Sequence, residues 1–240
     1  MHEVVLDSPN LNTLSVATMT DLRDQLRRGG GEPLLLRGEG RAFSAGLDLH
    51  EVTNLQGAAI GEFIALMDGL LLDLFTYPGP TVACVNGHAI AGGCLLALAC
   101  DHRIVADQPK IKIGLSEVAL GIAFPPGALA IVRYRLAKQH LDEVILGARL
   151  YSPEEALTRG LVDEVASDPG ARARACLGEL SAHPQAGYAT AKVALRGAVA
   201  AEAAAALPAF LEESLKLWSG EELKQRVAAR LGKSKPKASS

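Results

Sequence analysis

At 240 residues, with 49% apolar and 21% charged side chains, the chain is long enough for one substantial core and is composed like an ordinary soluble globular protein. A formal net charge of −3, with basic residues spread along the chain apart from Lys233, Lys235 and Lys237, gives no electrostatic reason to expect nucleic acid as a partner. Four cysteines (Cys84, Cys94, Cys100 and Cys176) stand in apolar surroundings without a CxxC pair, which argues against a disulfide frame or zinc site and for reduced thiols in a cytoplasmic protein.

No uninterrupted apolar run reaches the roughly 20 residues that cross a bilayer. The opening Met1-His2-Glu3-Val4-Val5-Leu6-Asp7 has neither the basic and apolar regions of a signal peptide nor the arginines of a transit peptide. Residues 4–6 predict a strand, stopped by Ser8-Pro9-Asn10. Ser15 predicts an N-cap for a helix over 16–28, with Met19, Leu22 and Leu26 on one face and Gly29-Gly30-Gly31 closing it. Residues 33–37 predict a second strand, a continuous apolar run of the kind buried on both faces. Residues 38–48 read as loop, and a turn of helix begins at Leu49.

A long helix is predicted over 59–75, closed by Tyr77-Pro78-Gly79-Pro80, followed by a third strand over 81–86. Residues 87–93 read as a glycine-rich turn, 94–101 as a helix and 103–106 as a fourth strand. This alternation predicts an α/β core built on right-handed crossovers. Beyond about residue 127 no strand is predicted; helix and turn alternate through alanine-rich stretches such as 199–207, ending in a frayed polar tail.

Two segments hold the chemistry. One is Arg37-Gly38-Glu39-Gly40-Arg41-Ala42-Phe43-Ser44-Ala45-Gly46-Leu47-Asp48-Leu49; the other is Asn86-Gly87-His88-Ala89-Ile90-Ala91-Gly92-Gly93-Cys94-Leu95-Leu96-Ala97. Each puts small residues at a strand-to-helix transition, where backbone N–H groups lack helical partners and are free to face an anion. Two such groups converging from separate loops would form an oxyanion hole for an acyl oxygen. Ordinary tight turns at the top of a sheet would have the same spacing. Neither segment is a dinucleotide fingerprint or a phosphate loop.

Together the segments closely resemble the paired signatures of the crotonase (enoyl-CoA hydratase/isomerase) superfamily, with Ser44-Ala45-Gly46-Leu47-Asp48 and Ala91-Gly92-Gly93-Cys94 as the core matches. The resemblance runs in order through most of residues 3–165, including Cys100-Asp101-His102-Arg103-Ile104-Val105-Ala106-Asp107 and Gly114-Leu115-Ser116-Glu117. It implies an α/β fold, a crotonase-like spiral of β-β-α units over 1–180. A helical C-terminal trimerisation region over 181–232 and a disordered tail over 233–240 complete the expected organisation. It also implies a thioester carbonyl held by the N–H groups of Leu47 and Gly92. The substrate it implies is an acyl-CoA or acyl-carrier thioester. No metal or redox cofactor is implied, CoA being part of the substrate, and a homotrimer or hexamer is expected.

Hydratases of this superfamily place one glutamate after the glycine turn and a second about twenty residues on. Here the first position is Leu95 and the second is Glu117. One carboxylate beside an apolar wall is poorly equipped to position and activate water. Moving a double bond from C3 to C2 needs less: one base takes a proton from C2, the oxyanion hole holds the dienolate, and the same carboxyl returns a proton to C4. A leucine wall would exclude water and, by burial, favour the protonated form of Glu117. The motifs look more like mitochondrial-type Δ3,Δ2-enoyl-CoA isomerases than hydratases. Glu117 could instead be a surface residue capping a helix near Val118.

Among the remaining candidates, Ala45, Asp48, Leu95, Phe124 and Arg41 are assigned to substrate binding, Asp48 also ordering its own loop. Phe124-Pro125-Pro126-Gly127 is expected to wall the acyl pocket, and Arg41, Lys216 and Lys224 are candidate partners for a CoA phosphate. His50 is placed near the pocket mouth, His88 behind the oxyanion turn, and Asp101 and His102 at a strand end. The alternatives are a thioester decarboxylase or hydratase of the same superfamily, on CoA or a carrier protein, and a non-catalytic crotonase-fold binding subunit.

Overall fold

A computed structural model describes residues 1–233. The polar tail expected over 233–240 lies, from 234 onward, outside the described residues. β1 (His2–Leu6) leads into a one-turn element, α1 (Pro9–Asn12), and then α2 (Val16–Gly29). As the sequence predicts, Ser15 caps α2 by accepting the Thr18 N–H at 3.1 Å, and Gly30 ends it at φ 56°. β2 (Leu34–Gly38) and β3 (Ala42–Ser44) precede α3 (Leu49–Asn54) and α4 (Ala58–Phe75). β4 (Thr81–Val85), β5 (His88–Ile90) and α5 (Gly92–Ala99) form the next unit. β6 (His102–Ala106), β7 (Ile113–Gly114) and α6 (Glu117–Leu120) form another. Each turn of this spiral gives its first strand to one sheet and its second to another. The result is a five-stranded parallel sheet, β1-β2-β4-β6-β8, and a three-stranded parallel sheet, β3-β5-β7.

The chain continues through α7 (Pro126–Arg135), α8 (Lys138–Gly147), α9 (Pro153–Thr158), β8 (Glu164–Ala166) and α10 (Pro169–Ser181). Four strands correct the sequence reading. β3 lies in the stretch expected to be loop, β5 in the expected glycine-rich turn, and β7 where no strand was read; β8 pairs with β6 where strands were expected to have stopped. Each spans two or three residues, too few for a period of two to register.

Buried strands explain the apolar runs. β4 is buried at every position and pairs Val82 with His102 and Cys84 with Ile104. One face of the large sheet, with Leu35, Val82, Cys84 and Ile104, is covered by Ala173, Cys176 and Leu177 of α10; the other face joins the main core. All four cysteines are free and buried, and burial pushes the Cys84 thiol up to about 11 and that of Cys100 to about 12.

Two charged groups, the buried Asp68 and the half-buried Arg135, join distant elements. Asp68, in the middle of α4, accepts the Gly127 N–H at 3.1 Å and the Ala128 N–H at 3.0 Å, so it satisfies the first turn of α7. Arg135, at the far end of α7, donates to the Leu98 and Cys100 carbonyls at the end of α5. After α10 comes α11 (Gln185–Ser214), then a 3-10 turn (Leu215–Trp218) and α12 (Glu221–Lys233). Gln185–Trp218 is a continuous helical stretch of 34 residues, long and apolar enough by composition to cross a bilayer. Lys192, Arg196 and Glu202 interrupt its apolar run, and the first two are buried.

Candidate active site

The three strands of the small sheet run parallel, so their carboxyl ends lie together, where open parallel sheets place their ligands. Ala45 follows β3, Ala91 follows β5, and Ser116 and Glu117 follow β7; all four line one pocket. Local chemistry forces these strands to stop there. Gly46 has φ +87°, and a Cβ on it would lie 2.7 Å from the Ile90 carbonyl oxygen. A Cβ on Gly93 would land on the Ser44 carbonyl oxygen, so α5 can start beside β3 only with glycine at this position. Ala91 is held at φ 51° and ψ −121°, a strained conformation for a non-glycine residue, with its N–H on the Gly114 carbonyl at 2.8 Å.

Leu47 lies opposite Leu14 in a parallel bridge. The bridge is made by Leu14 N–H to the Gly46 carbonyl at 2.8 Å and Asp48 N–H to the Leu14 carbonyl at 3.1 Å. It engages the residues on either side of Leu47, so the Leu47 N–H points away from it. Gly92 is the first residue of α5, whose N–H has no acceptor inside the helix. The two loops touch: a Cβ on Gly92 would lie 3.6 Å from the Gly46 Cα and 3.6 Å from a Leu47 methyl. Two backbone donors on abutting loops, at the mouth of an apolar pocket, suit a polarised carbonyl oxygen.

Glu117 is the first residue of α6 and is 8% exposed, which removes the reading of a surface cap. Among the described residues lining the pocket it is the only ionisable side chain. Leu95, on α5, contributes an apolar wall; Phe124 and Pro125 contribute another. Ala45, Leu47, Gly92, Leu95, Glu117 and Phe124 are therefore brought together.

Asp48 and Arg41 lie outside this lining. The Asp48 carboxylate accepts the His50 and Glu51 N–H groups and caps α3. Arg41 is exposed just before β3, at the strand end away from the pocket, and His50, Lys216 and Lys224 are also exposed. His88 sits behind the turn, its Nδ1 accepting the Lys112 N–H at 3.0 Å. Asp101 accepts the Thr81 N–H at 2.8 Å and holds the end of β4.

Sequence reasoning missed part of the wall. Met67 of α4, Leu120, Ile122 and Trp218 also line the pocket. Trp218 reaches it from the 3-10 turn after α11, roughly a hundred residues beyond Glu117. Its one available signal was that it is the chain's single tryptophan.

The family profile described as "Enoyl-CoA hydratase/isomerase" matches residues 1–237. The chain is 35% identical over 175 residues to mitochondrial enoyl-CoA delta isomerase 1 of Mus musculus, covering 71% of this chain and 61% of that protein. It is 35% identical over 156 residues to a putative enoyl-CoA hydratase of Thermus thermophilus, covering 64% of this chain and 60% of that protein. The match thus spans less than two thirds of these relatives' own length. The crystal structure of human mitochondrial delta3-delta2-enoyl-CoA isomerase superposes with a TM-score of 0.88 over 97% of this chain and 93% of that one, at 27% identity.

Proposed function

The chain belongs to the enoyl-CoA hydratase/isomerase family and has its crotonase fold, and from that premise we propose that it moves a double bond in an enoyl thioester from C3 to C2. One observation carries the choice of reaction: among the described residues a single carboxyl group, Glu117, lines the pocket, and Leu95 occupies the place where hydratases of the superfamily have their other acid.

The thioester oxygen of a 3-enoyl substrate accepts from the Leu47 and Gly92 N–H groups. Glu117 removes one C2 proton, and the C2–H electron pair delocalises into the thioester and the adjacent double bond. The resulting dienolate carries its negative charge on the oxygen held by the two N–H groups. The protonated Glu117 then returns the same proton to C4, leaving the double bond at C2 and the carboxylate restored. No water enters the balance, which suits the apolar wall of Leu95, Phe124, Met67 and Trp218. The same carboxyl can serve both transfers because C2 and C4 of a planar dienolate are both open to it from the same face.

The similarity to a mouse and a human enoyl-CoA isomerase supports this reading. Assembly into a trimer or hexamer is part of the proposal, supported by Val193 and Leu195, 61% and 64% exposed on α11. The test is to incubate the protein with a 3-enoyl-CoA and a 2-enoyl-CoA in parallel, following conjugation of the first and hydration of the second. Isomerisation should dominate, and Glu117→Gln should lower it by roughly 10²–10⁴-fold. Undiminished isomerisation by that variant would remove Glu117 from the mechanism.

A further inference from the structure

The loop that presents the Leu47 N–H is built from outside the pocket. Asn12, 3% exposed, donates its side-chain amide to the carbonyls of Glu39 at 2.9 Å, Ala42 at 2.9 Å and Phe43 at 3.3 Å, and its Oδ1 accepts the Ser8 N–H at 3.2 Å. Its own carbonyl accepts the Ser44 hydroxyl at 2.7 Å, and that hydroxyl oxygen accepts the Gly46 N–H at 3.2 Å. The Leu11 carbonyl accepts the Ala45 N–H at 3.0 Å. Residues 42–46 are therefore gripped from one side by 11 and 12, and Leu14 then takes up the groups flanking Leu47.

The gripping segment has an unusual backbone. Asn10, Leu11 and Asn12 have φ of 58°, 68° and 58°, three successive non-glycine residues in the left-handed region. L residues visit that region singly, not in runs, and such a conformation persists only where its surroundings over-determine it. Here the run turns the Leu11 carbonyl, the Asn12 carbonyl and the Asn12 amide toward the same loop.

We infer that Asn12 is a positioning residue for the reaction: it fixes the backbone of 42–46 and thereby aims the Leu47 N–H at the thioester oxygen. This rests on the oxyanion role proposed for Leu47. Asn12 does not line the pocket and acts only through the loop.

The test compares the unmodified protein with Asn12→Gly and Asn10→Gly. Asn12→Gly tolerates the left-handed backbone but removes the amide; Asn10→Gly relaxes a neighbouring φ and leaves the amide in place. Two quantities are read: the ultraviolet enolate band of saturating acetoacetyl-CoA, and kcat and KM for a 3-enoyl-CoA. Asn10→Gly should match the unmodified protein. Asn12→Gly should weaken the enolate band and lower kcat by about 10- to 100-fold, with KM changed less than about threefold, because the lost interaction acts at the charged intermediate. An unchanged band and kcat in Asn12→Gly would overturn the inference, as would equal losses in both variants. If Asn12→Gly does not fold, Ser44→Ala cuts the bridge from the Asn12 carbonyl to the Gly46 N–H and carries the same expectation; an unchanged band there overturns it too. An unmodified protein that binds acetoacetyl-CoA without an enolate band would instead overturn the oxyanion site itself, and this inference with it.

Discussion

Lys192 on α11 places its ammonium 2.6 Å from the carboxylate of Asp101, 91 residues earlier in the chain. Arg196, one turn on, lies 2.7 Å from the other carboxylate oxygen, and the Tyr188 hydroxyl donates to Asp101 at 2.8 Å. Lys192 also donates to the Gly79 carbonyl at 2.6 Å and Arg196 to that of Phe75 at 2.8 Å. One buried carboxylate at the start of β6 therefore anchors the long helix that ends in Trp218. Through that connection, a charge cluster remote from the pocket sets the position of one pocket wall.

Asp101→Asn should uncouple this anchor. Two buried cations would lose their counter-charge, a loss that costs on the order of 3–5 kcal/mol. The pH dependence has a definite sign. Burial works to raise the Asp101 carboxyl, but the Lys192 and Arg196 charges outweigh it and hold it below the ordinary carboxylate range. The native state thus binds fewer protons than the unfolded one. The stabilisation is fully present above the unfolded value of about 3.9 and fades as pH falls through the folded one. Denaturant midpoints measured across that acidic window should drop steeply for the unmodified protein and more shallowly for Asp101→Asn. Identical midpoints at neutral pH would show that the cluster contributes nothing.

Trp218 offers a direct view of the pocket. It is the only tryptophan in the chain, 1% exposed, and it lines the candidate site. Binding of an acyl-CoA whose chain enters the pocket should change its fluorescence saturably, and CoA alone should do so far less. A spectrum indifferent to acyl-CoA at concentrations that support turnover would mean that the acyl chain lies elsewhere.

The loops around the reacting atoms were legible in the sequence because each carries its glycines in a short run at a strand end. A Cβ on Gly46 or Gly93 would strike a carbonyl oxygen of the other loop, Ile90 or Ser44, and Ser15 caps its helix three residues on. The remote wall was not legible. Helical spacing marks Met67 as inward-facing but does not say what it meets, and Trp218 arrives through the fold of the whole C-terminal region. Ser8-Pro9-Asn10 read correctly as a strand stop. Asn10 and Asn12 are of a type that tolerates the left-handed region, but nothing local announced that residues 10–12 would enter it together and grip a loop thirty residues away, an arrangement held by the Asn12 contacts.

Gly46→Ala tests how tightly the first loop is specified. The added methyl meets the Ile90 carbonyl oxygen at 2.7 Å in a residue already at φ +87°, so both space and backbone oppose it. Left-handed strain of this kind costs about 1–3 kcal/mol. Because the clash sits between the two oxyanion loops, activity should fall further than stability does. Comparing kcat with the unfolding midpoint checks this, and a variant that lost stability alone would show that the Leu47 and Gly92 donors tolerate displacement.

Leu95→Glu asks whether the missing acid is what withholds hydration. The side chain is 2% exposed and shares the pocket with Glu117. A second carboxyl there would bring a buried charge and a like-charge neighbour, so one of the pair should hold its proton at neutral pH. A protonated and an ionised carboxyl facing a 2-enoyl thioester supply what adding water requires: one to take a proton from water, one to supply a proton to C2. The variant should lose stability, isomerise 3-enoyl-CoA more slowly, and form 3-hydroxyacyl-CoA from 2-enoyl-CoA faster than the unmodified protein, as followed by chromatography of the products. If the unmodified protein already hydrates 2-enoyl-CoA as fast as it isomerises, the leucine wall does not exclude water, and the choice between the two reactions must lie with groups other than Leu95.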